Sequence, residues 1–164
     1  MPQRDTARTL RGLIEVTRLA RAGGSLPERL GSLAQTIGDS LGYETVAITL
    51  YRPAWDDFRV TAVSGREQAR ETLCGLTRTH DDFRPLLDER FLRRGAYVIP
   101  VGAHDWSESG PTFTPPVEPT PDDPNAWHPE DVLLVPLNAT NGSGVAITVT
   151  PPASARGHSS RRRA

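Results

Sequence analysis

Five side chains with the chemistry of metal ligands flank a proline-rich stretch in the second half of the chain. His104 and Asp105 precede this stretch, and His128, Glu130 and Asp131 end it. Imidazole and carboxylate groups bind zinc, and imidazole binds haem iron, but such sites usually have characteristic close spacings between ligands. The spacing here matches none of these. It favours turns in which the aspartates accept backbone hydrogen bonds and the histidines face water, so a metal-dependent enzyme is the least favoured function.

Thiol chemistry is limited because Cys74 is the only cysteine. A single thiol excludes a disulfide within the chain, a cysteine-based zinc cluster and a reaction in which a second thiol of the same chain resolves the first. Cys74 ends a predicted amphipathic helix, where a cysteine usually packs as a small hydrophobic residue. We therefore expect a buried thiol, no metal and no catalytic residue.

Aromatic side chains offer a different kind of chemistry, the binding of a flat ligand. Trp106, Phe113 and Trp127 lie in the proline-rich region and could stack on such a ligand or hold the segment against the body of the domain. Tyr51 and Tyr97 occupy predicted strand positions, from which a phenol group could reach a neighbouring cavity or pack at its rim. Residue type alone leaves both alternatives open.

The proline-rich segment is long for a connection inside a compact domain. Residues 112–131 contain six prolines and five acidic residues. A connection of this length usually covers a site or is disordered. Its proline run could bind a polyproline-recognition domain, although inside a folded domain the run is expected only to stiffen the loop.

Arginines are concentrated just before that acidic segment. All 19 basic residues are arginine, and eight of them lie in residues 59–94, whereas residues 95–155 contain none. Three of the eight precede a predicted strand and could attract an anionic ligand: Arg90, Arg93 and Arg94. Ion pairs on a helix surface, such as Glu89 with Arg93, explain them more simply.

Length and composition suit one soluble domain. The 164 residues are 37% hydrophobic and 24% charged, and no apolar run approaches the roughly 18–20 residues that span a bilayer. The first residues lack the apolar core of a signal peptide, which predicts a cytoplasmic protein without a membrane partner. Residues 1–150 carry a net charge of −5, which argues against a nucleic-acid partner.

Two amphipathic helices are predicted in the first 42 residues. Apolar residues recur at helical spacing over 8–22. The second helix begins with Ser25 and Glu28 in a capping-box pattern, and Gly42 ends it.

The rest of the chain is predicted to alternate short strands and short helices. The predicted elements are a hairpin over 45–64, helices over 66–73 and 81–91, and strands over 95–100, 132–137 and 145–150. The strand over 132–137 is apolar on both faces, as expected for a strand that is covered on both sides.

The first and last predicted strands, TVAITLY and VAITVT, have nearly the same sequence. If they are neighbours in the sheet, one face is a wall of branched aliphatic residues that includes Val46 and Ile48. The other face is then a patch of small residues: Ala47, Thr49, Ala146 and Thr148. We expect helices on the aliphatic face and room for a ligand above the small residues.

This order of elements resembles that of a GAF domain over residues 8–150. The likeness is carried by SLPERLGSLAQTIGDSLGYETVAITLY, RGAYVIP and HPEDVLLVPLNATNGSGVAITVT, and it is greatest to GAF modules of bacterial signalling proteins. The resemblance implies an α+β fold with a central antiparallel sheet of five or six strands. N-terminal helices would cover one face of the sheet, and short helices plus a long loop would cover the other. The ligand pocket would lie on this second face, closed by a flap over 101–131.

The resemblance also implies a function: a non-catalytic sensory or regulatory domain that binds a small molecule and passes on a conformational signal. The ligand and any cofactor are not identified by the sequence. The residues expected at the ligand are Thr49, Tyr51, Tyr97, Ile99, Trp106, Trp127, His128, Leu134 and Thr148. A homodimer would form through the helix over 8–22. The alternative is a degenerate module that serves only dimerisation or protein interaction.

The sequence differs from known GAF domains at its two ends and in the residues that three GAF functions require. Residues 1–7 are expected to be flexible, and 151–164 to be a disordered arginine-rich tail where many GAF domains have a further helix. Bilin attachment uses a cysteine followed by histidine, whereas Gly75 follows Cys74. GAF-type sulfoxide reductases need several cysteines, and the cyclic-nucleotide signature of animal GAF domains is not visible.

Overall fold

The structure, a computed structural model, describes residues 24–108, 110–116, 127–138 and 144–150, and the strand at 144–150 is described by its backbone alone. The elements in chain order are α1 (Leu26–Leu41), β1 (Thr45–Arg52), β2 (Asp57–Ser64), α2 (Glu67–Leu73), β3 (Thr77–Arg78), α3 (His80–Phe83), β4 (Leu92–Arg93), β5 (Ala96–Ile99), β6 (Val132–Asn138) and β7 (Gly144–Thr150), with 3₁₀ turns at Glu89–Phe91 and Trp106–Glu108. The predicted helix over 8–22 and the predicted end regions 1–7 and 151–164 lie outside the described residues.

One antiparallel sheet organises these elements, in the order β3-β2-β1-β7-β6-β5-β4. The first and last strands lie edge to edge, as the sequence predicts, with Val46 opposite Val149 and Ile48 opposite Ile147. The α+β class is confirmed. In the described part of the chain the sheet has seven strands rather than five or six, because β3 and β4 are additional edge strands of two residues each.

Helix α1 begins and ends where the sequence predicts. The Ser25 backbone N–H donates to Glu28 Oε2 at 2.9 Å, and the Glu28 N–H donates to Ser25 Oγ at 3.4 Å, so both halves of the capping box form. The bond from the Ser25 backbone N–H to this carboxylate, followed by one from the Ser25 side chain, lowers the pKa of Glu28. Its contribution to stability is therefore present above the usual glutamate pKa of about 4.3 and is lost as the pH falls through the lowered value. Gly42 ends the helix with φ +77°.

Removing the cap measures its contribution. We expect Ser25→Ala to lower the free energy of unfolding by about 1 kcal/mol, because the Glu28 N–H loses its acceptor at the helix start. Urea unfolding followed by circular dichroism measures this loss. Ser32→Ala is the matched control, since Ser32 is exposed inside the same helix and alanine is the better helix former there. Equal losses in the two variants would show that the cap contributes nothing of its own.

Strand β1 separates two layers because its side chains alternate between the faces of the sheet. Val46 and Ile48 are fully buried and pack with Ala34 of α1. Thr45, Ala47 and Thr49 are on the opposite face and are at most 5% exposed. The aliphatic face therefore carries the helix, as the sequence predicts.

A bulge in β2 extends this two-sided arrangement to the neighbouring strand. Ile48 pairs with Ala62 and Thr49 pairs with Val60, so Thr61 is an extra residue in β2. Because of the extra residue, Ala62 packs in the core next to α1 while Val60 lies on the cavity side. Strand β6 is apolar on both faces, as predicted, with Leu134 in one core cluster and Leu133 against the other.

The structure corrects two predictions about the segment that follows the hairpin. The helix predicted over 81–91 is limited to α3, with a separate 3₁₀ turn at Glu89–Phe91. Pro85 has no backbone N–H to donate to the Asp81 carbonyl, so the regular series of helical hydrogen bonds ends with the bond from the Arg84 N–H to the His80 carbonyl. The predicted helical pair of Glu89 with Arg93 loses its basis, and Arg93 Nη1 instead donates to the Leu92 carbonyl at 2.8 Å.

Cys74 is exposed rather than buried. It is the C-cap residue of α2 and has extended backbone angles, so its side chain leaves the helix face on which Ala69 is buried. The prediction of a packed thiol is therefore wrong, since it treated Cys74 as part of the helix stripe.

Candidate ligand cavity

A cavity of about 300 Å³ lies on the face of the sheet opposite α1. Its lining comes from three sources: the sheet, the segment from α2 to the residues after α3, and the long connection between β5 and β6. The lining residues are Thr45, Ala47, Thr49, Val60, Leu73, Arg78, Phe83, Leu86, Trp106, Thr112, Phe113, Thr114, Pro129, Glu130, Val132 and Leu134.

The floor is the small-residue side of β1 together with its neighbours. Thr45, Ala47 and Thr49 alternate along the strand, and Leu134 of β6 is 1% exposed. The Thr45 hydroxyl oxygen is buried without a hydrogen-bond partner. Small side chains create the space here, because a leucine or phenylalanine at any of these β1 positions would extend into it.

The wall beside β2 combines apolar and cationic groups. Phe83 and Leu86 are each 6% exposed and belong to the second core cluster. Arg78 of β3 lines the same side and donates from Nη2 to the Pro111 carbonyl at 2.8 Å. Burial lowers the pKa of the Arg78 guanidinium, and the nearby Asp82 carboxylate opposes that effect.

The cover consists of the described parts of the connection between β5 and β6. Trp106, Phe113 and Pro129 contribute apolar surface, and Pro129 is buried. The Trp106 ring packs edge-on against His104 with 4.6 Å between ring centroids. Within the segment predicted as a flap over 101–131, residues 106, 112–114, 129 and 130 therefore line the space above the small-residue face.

One carboxylate joins the two ends of the cover. Asp131 Oδ1 accepts from the Val101 N–H at 2.8 Å, and Asp131 Oδ2 accepts from the His128 N–H at 2.8 Å. Asp105 Oδ1 likewise accepts from the Ser107 N–H at 2.9 Å. Both aspartates thus accept backbone hydrogen bonds in turns, as the sequence predicts. Among the described residues, no three His, Cys, Asp or Glu side chains form a group suited to a metal ion.

Comparison with known proteins rests on structure. No family model matches the sequence, and no curated protein has significant similarity to it. The chain is similar to the GAF domain of a phosphoenolpyruvate-protein phosphotransferase from Acinetobacter, with 13% identity, coverage of 98% of this chain and 84% of that chain, and a TM-score of 0.59. The phycoerythrobilin-bound GAF domain of a cyanobacterial phytochrome gives 17% identity, coverage of 95% and 86%, and a TM-score of 0.60. The A. aeolicus nlh2 GAF domain in an inactive state has 13% identity to this chain, with coverage of 88% of this chain and 80% of that chain and a TM-score of 0.57.

This chain has the GAF fold. The likeness extends over nearly the whole chain, which agrees with the resemblance found in the sequence motifs. At these identities the likeness establishes the fold alone, and a ligand has to be argued from the residues of the cavity. No helix among the described residues combines the length and apolar character that a bilayer span requires.

Three of the residues expected at the ligand line the cavity: Thr49, Trp106 and Leu134. Their contact with a ligand stays a prediction. Thr148 pairs with Ala47 on one side and Leu134 on the other, so its register position is within the cavity floor, between two lining residues. Its side chain lies outside the described part of the structure.

The structure places Tyr51 beyond the end of the cavity. Its ring packs against Phe58 and His80, with centroids 5.2 and 5.4 Å away. Its hydroxyl donates to Asp56 Oδ1 at 2.6 Å, which raises the pKa of Tyr51. Tyr51 therefore closes the hairpin end of the domain instead of contacting the cavity.

Four further residues expected at the ligand also lie outside the lining. Ile99 is fully buried in the second core cluster, and Tyr97 packs against that cluster. Trp127 is half-buried outside the lining. His128 contributes to a turn, where its Nδ1 accepts from the Glu130 N–H at 3.2 Å. Strand and loop patterns predict where these residues lie along the chain, but they do not determine the direction of each side chain.

Sequence reasoning missed several lining residues, and two of them had a usable signal. Thr45 belongs to the same alternation that predicted Thr49. Arg78 lies among the eight arginines that precede the acidic segment, although the candidates for anion binding in the sequence are Arg90, Arg93 and Arg94. Phe83 and Leu86 belong to the second core cluster, and here the core is also the cavity wall.

Proposed function

We propose that the chain is a sensory or regulatory GAF domain that binds a small molecule in the cavity and passes the binding event to α1 without catalysing a reaction. One observation carries the proposal: the cavity lies on the face of β1 opposite α1, beneath the connection between β5 and β6. Ligand sites are typically apolar concavities of about 300–1,000 Å³ with a few polar groups. A neighbour in fold is the phycoerythrobilin-bound domain of a phytochrome, which supports a sensory role.

The composition of the lining supports binding in place of catalysis. The described lining consists of apolar side chains and threonines, with Arg78 and Glu130 as its charged residues. Hydroxyl groups and a guanidinium orient a bound molecule through hydrogen bonds. These groups suit the recognition of a ligand that is released without chemical change.

Strand β1 supplies a short connection from ligand to helix. Ala47 lines the cavity, and its chain neighbours Val46 and Ile48 pack on α1. Close-packed interiors transmit strain, so a ligand that displaces the floor also displaces the helix contacts. The change in population is limited by the difference between the ligand's affinities for the two states.

Filling the cavity floor tests the binding half of the proposal. We expect Ala47→Leu to fold, because the longer side chain enters existing space, and to weaken ligand binding at least tenfold. Thermal unfolding with a panel of nucleotides, 2-oxo acids and aromatic compounds measures this. A ligand at about 100 times its Kd stabilises the wild type by about 2.7 kcal/mol and raises its Tm by about 5–10 °C.

Two outcomes would overturn the binding half. One is a panel in which no compound stabilises the wild-type chain, and the other is an Ala47→Leu variant that responds as the wild type does. Ala54→Leu, at the exposed turn between β1 and β2, is the control and keeps the full response. Amide hydrogen exchange of α1 tests signalling, because a bound ligand should change the exchange rates at Ala34 and Gly38. Unchanged rates with an occupied cavity would show that binding is not transmitted to the helix.

A further inference from the structure

The size of the cavity limits the ligand to a small molecule. An apolar cavity of about 150 Å³ holds one benzene molecule. The volume of about 300 Å³ therefore gives room for roughly two rings, or for one ring with a short side chain.

The shape of the lining favours a flat apolar body. Phe83 stands in the wall, and Trp106 and Phe113 face the same space from the cover. Aromatic rings pack favourably against other rings in offset or edge-to-face arrangements. Three aromatic side chains around so small a volume select an aromatic ring over a sugar or a polar chain.

The charge of the lining favours an anion. Arg78 keeps its positive charge at any physiological pH, and its half-buried side chain lines the cavity beside Phe83. A guanidinium presents a planar fork of donors that matches a carboxylate, and such charge-assisted pairs strengthen where water is excluded. Glu130 also lines the cavity but is exposed, so water screens its charge.

We propose that the cavity binds an aromatic carboxylate of one or two rings, with the carboxylate on Arg78 and the ring between Phe83 and the cover. This inference rests on the proposed function and names the ligand class. Arg78 also donates to the Pro111 carbonyl of the cover at 2.8 Å. The same guanidinium thus contacts both the ligand and the cover. A ligand carboxylate that shifts Arg78 therefore also shifts its hydrogen bond to the cover.

Matched acids and amides test the charge requirement. Benzoate and 2-naphthoate are compared with benzamide and 2-naphthamide by isothermal titration calorimetry at fixed ionic strength. Each amide has nearly the shape of its acid and lacks the charge. We expect the wild-type chain to bind at least one acid at least tenfold more tightly than its amide, because hydrogen bonds to charged groups are the stronger ones.

Variants of Arg78 locate that preference. In Arg78→Gln, which keeps a hydrogen-bond donor, the ratio of acid to amide affinity falls to about one while amide binding is unchanged, and unchanged amide binding also shows that the cavity is intact. Arg78→Lys keeps the charge and gives an intermediate ratio. Arg84→Gln is the matched control, because Arg84 pairs with Asp81 outside the cavity, and it behaves as the wild type.

The outcomes separate this inference from the proposed function. Equal binding of acid and amide by the wild type, or an unchanged ratio in Arg78→Gln, overturns the carboxylate proposal and leaves a cavity that binds neutral molecules. If none of the four probes binds while another class of compound stabilises the wild type and not Ala47→Leu, the aromatic class is wrong and the proposed function stands. If nothing binds at all, both fall.

Discussion

Replacing Gly65 by alanine is expected to lower the free energy of unfolding by about 3–5 kcal/mol. Gly65 has φ +123°, a backbone angle that residues with a side chain rarely adopt. A Cβ atom at this position would lie 2.5 Å from the Glu44 carbonyl oxygen and 3.1 Å from Thr45 Oγ1. Backbone strain of about 1–3 kcal/mol adds to overpacking of similar size, since the atom that is met is backbone and cannot rotate away.

A second glycine separates the clash from the strain. Gly95 also has a positive φ of +84°, but nothing lies within 4 Å of a Cβ built on it. We expect Gly95→Ala to cost about 1 kcal/mol, the strain without the contact. Urea unfolding of both variants measures the difference in free energy, provided that the two variants have the same dependence of this free energy on urea concentration. Equal losses would contradict the close approach of Gly65 to the start of β1.

The Gly65 variant also tests how the cavity floor is held in place. Glu44 and Thr45 lead into the floor, and the Glu44 carboxylate pairs with the Arg66 guanidinium next to Gly65. A displaced Thr45 would change the end of the floor, so the folded fraction of Gly65→Ala should also bind cavity ligands more weakly. The stability of the β1–β2 end and the shape of the cavity are thus coupled.

The fold could be predicted from the sequence because its elements carry local signals. Ser25, Glu28 and Gly42 mark the ends of α1, and the alternation of Val46 with Ala47 assigns each face of β1 to a layer. The pairing of β1 with β7 follows from two strands whose sequences match almost residue for residue. Local patterns of this kind act within a few residues, so one sequence suffices to detect them.

The site could be predicted only in part because side-chain direction depends on distant packing. Thr49 follows from alternation along β1, whereas Tyr51 belongs to the same series and yet turns to Asp56 and the Phe58 ring. Arg78 lies on an edge strand of two residues, which leaves no periodic pattern to detect. Its position in the cavity arises from pairing with Phe58 across the sheet and from a contact 33 residues away at Pro111.

Replacing Asp131 by alanine is expected to lower the free energy of unfolding by about 2–4 kcal/mol. Its two oxygens accept from the Val101 and His128 N–H groups, each at 2.8 Å, and so tie the start of the cover to its end. Hydrogen bonds to a charged group contribute about 1.5–3 kcal/mol each, and both donors lose their partner in the variant. Asp131→Asn keeps one acceptor oxygen and should lose about half as much.

A local measurement distinguishes this clamp from a general effect on stability. Asp105→Ala is the matched control, since in the described part of the chain Asp105 accepts a backbone hydrogen bond from Ser107, two residues away, and is exposed. We expect a loss of at most about 1 kcal/mol. Amide hydrogen exchange at Val101 and His128 should rise in Asp131→Ala and stay unchanged in Asp105→Ala. Similar losses in both variants, or unchanged exchange at Val101, would contradict the clamp.

The clamp has a consequence for binding because the cover forms one side of the cavity. A cover that opens more often lowers the fraction of molecules competent to bind, and the apparent affinity falls by the same fraction. Asp131→Ala should therefore weaken the binding of acids and amides equally, whereas Arg78→Gln weakens only the binding of acids. Asp131 does not line the described cavity, so a uniform loss of affinity would be due to a less populated closed state of the cover. A selective loss would place the carboxylate preference outside Arg78.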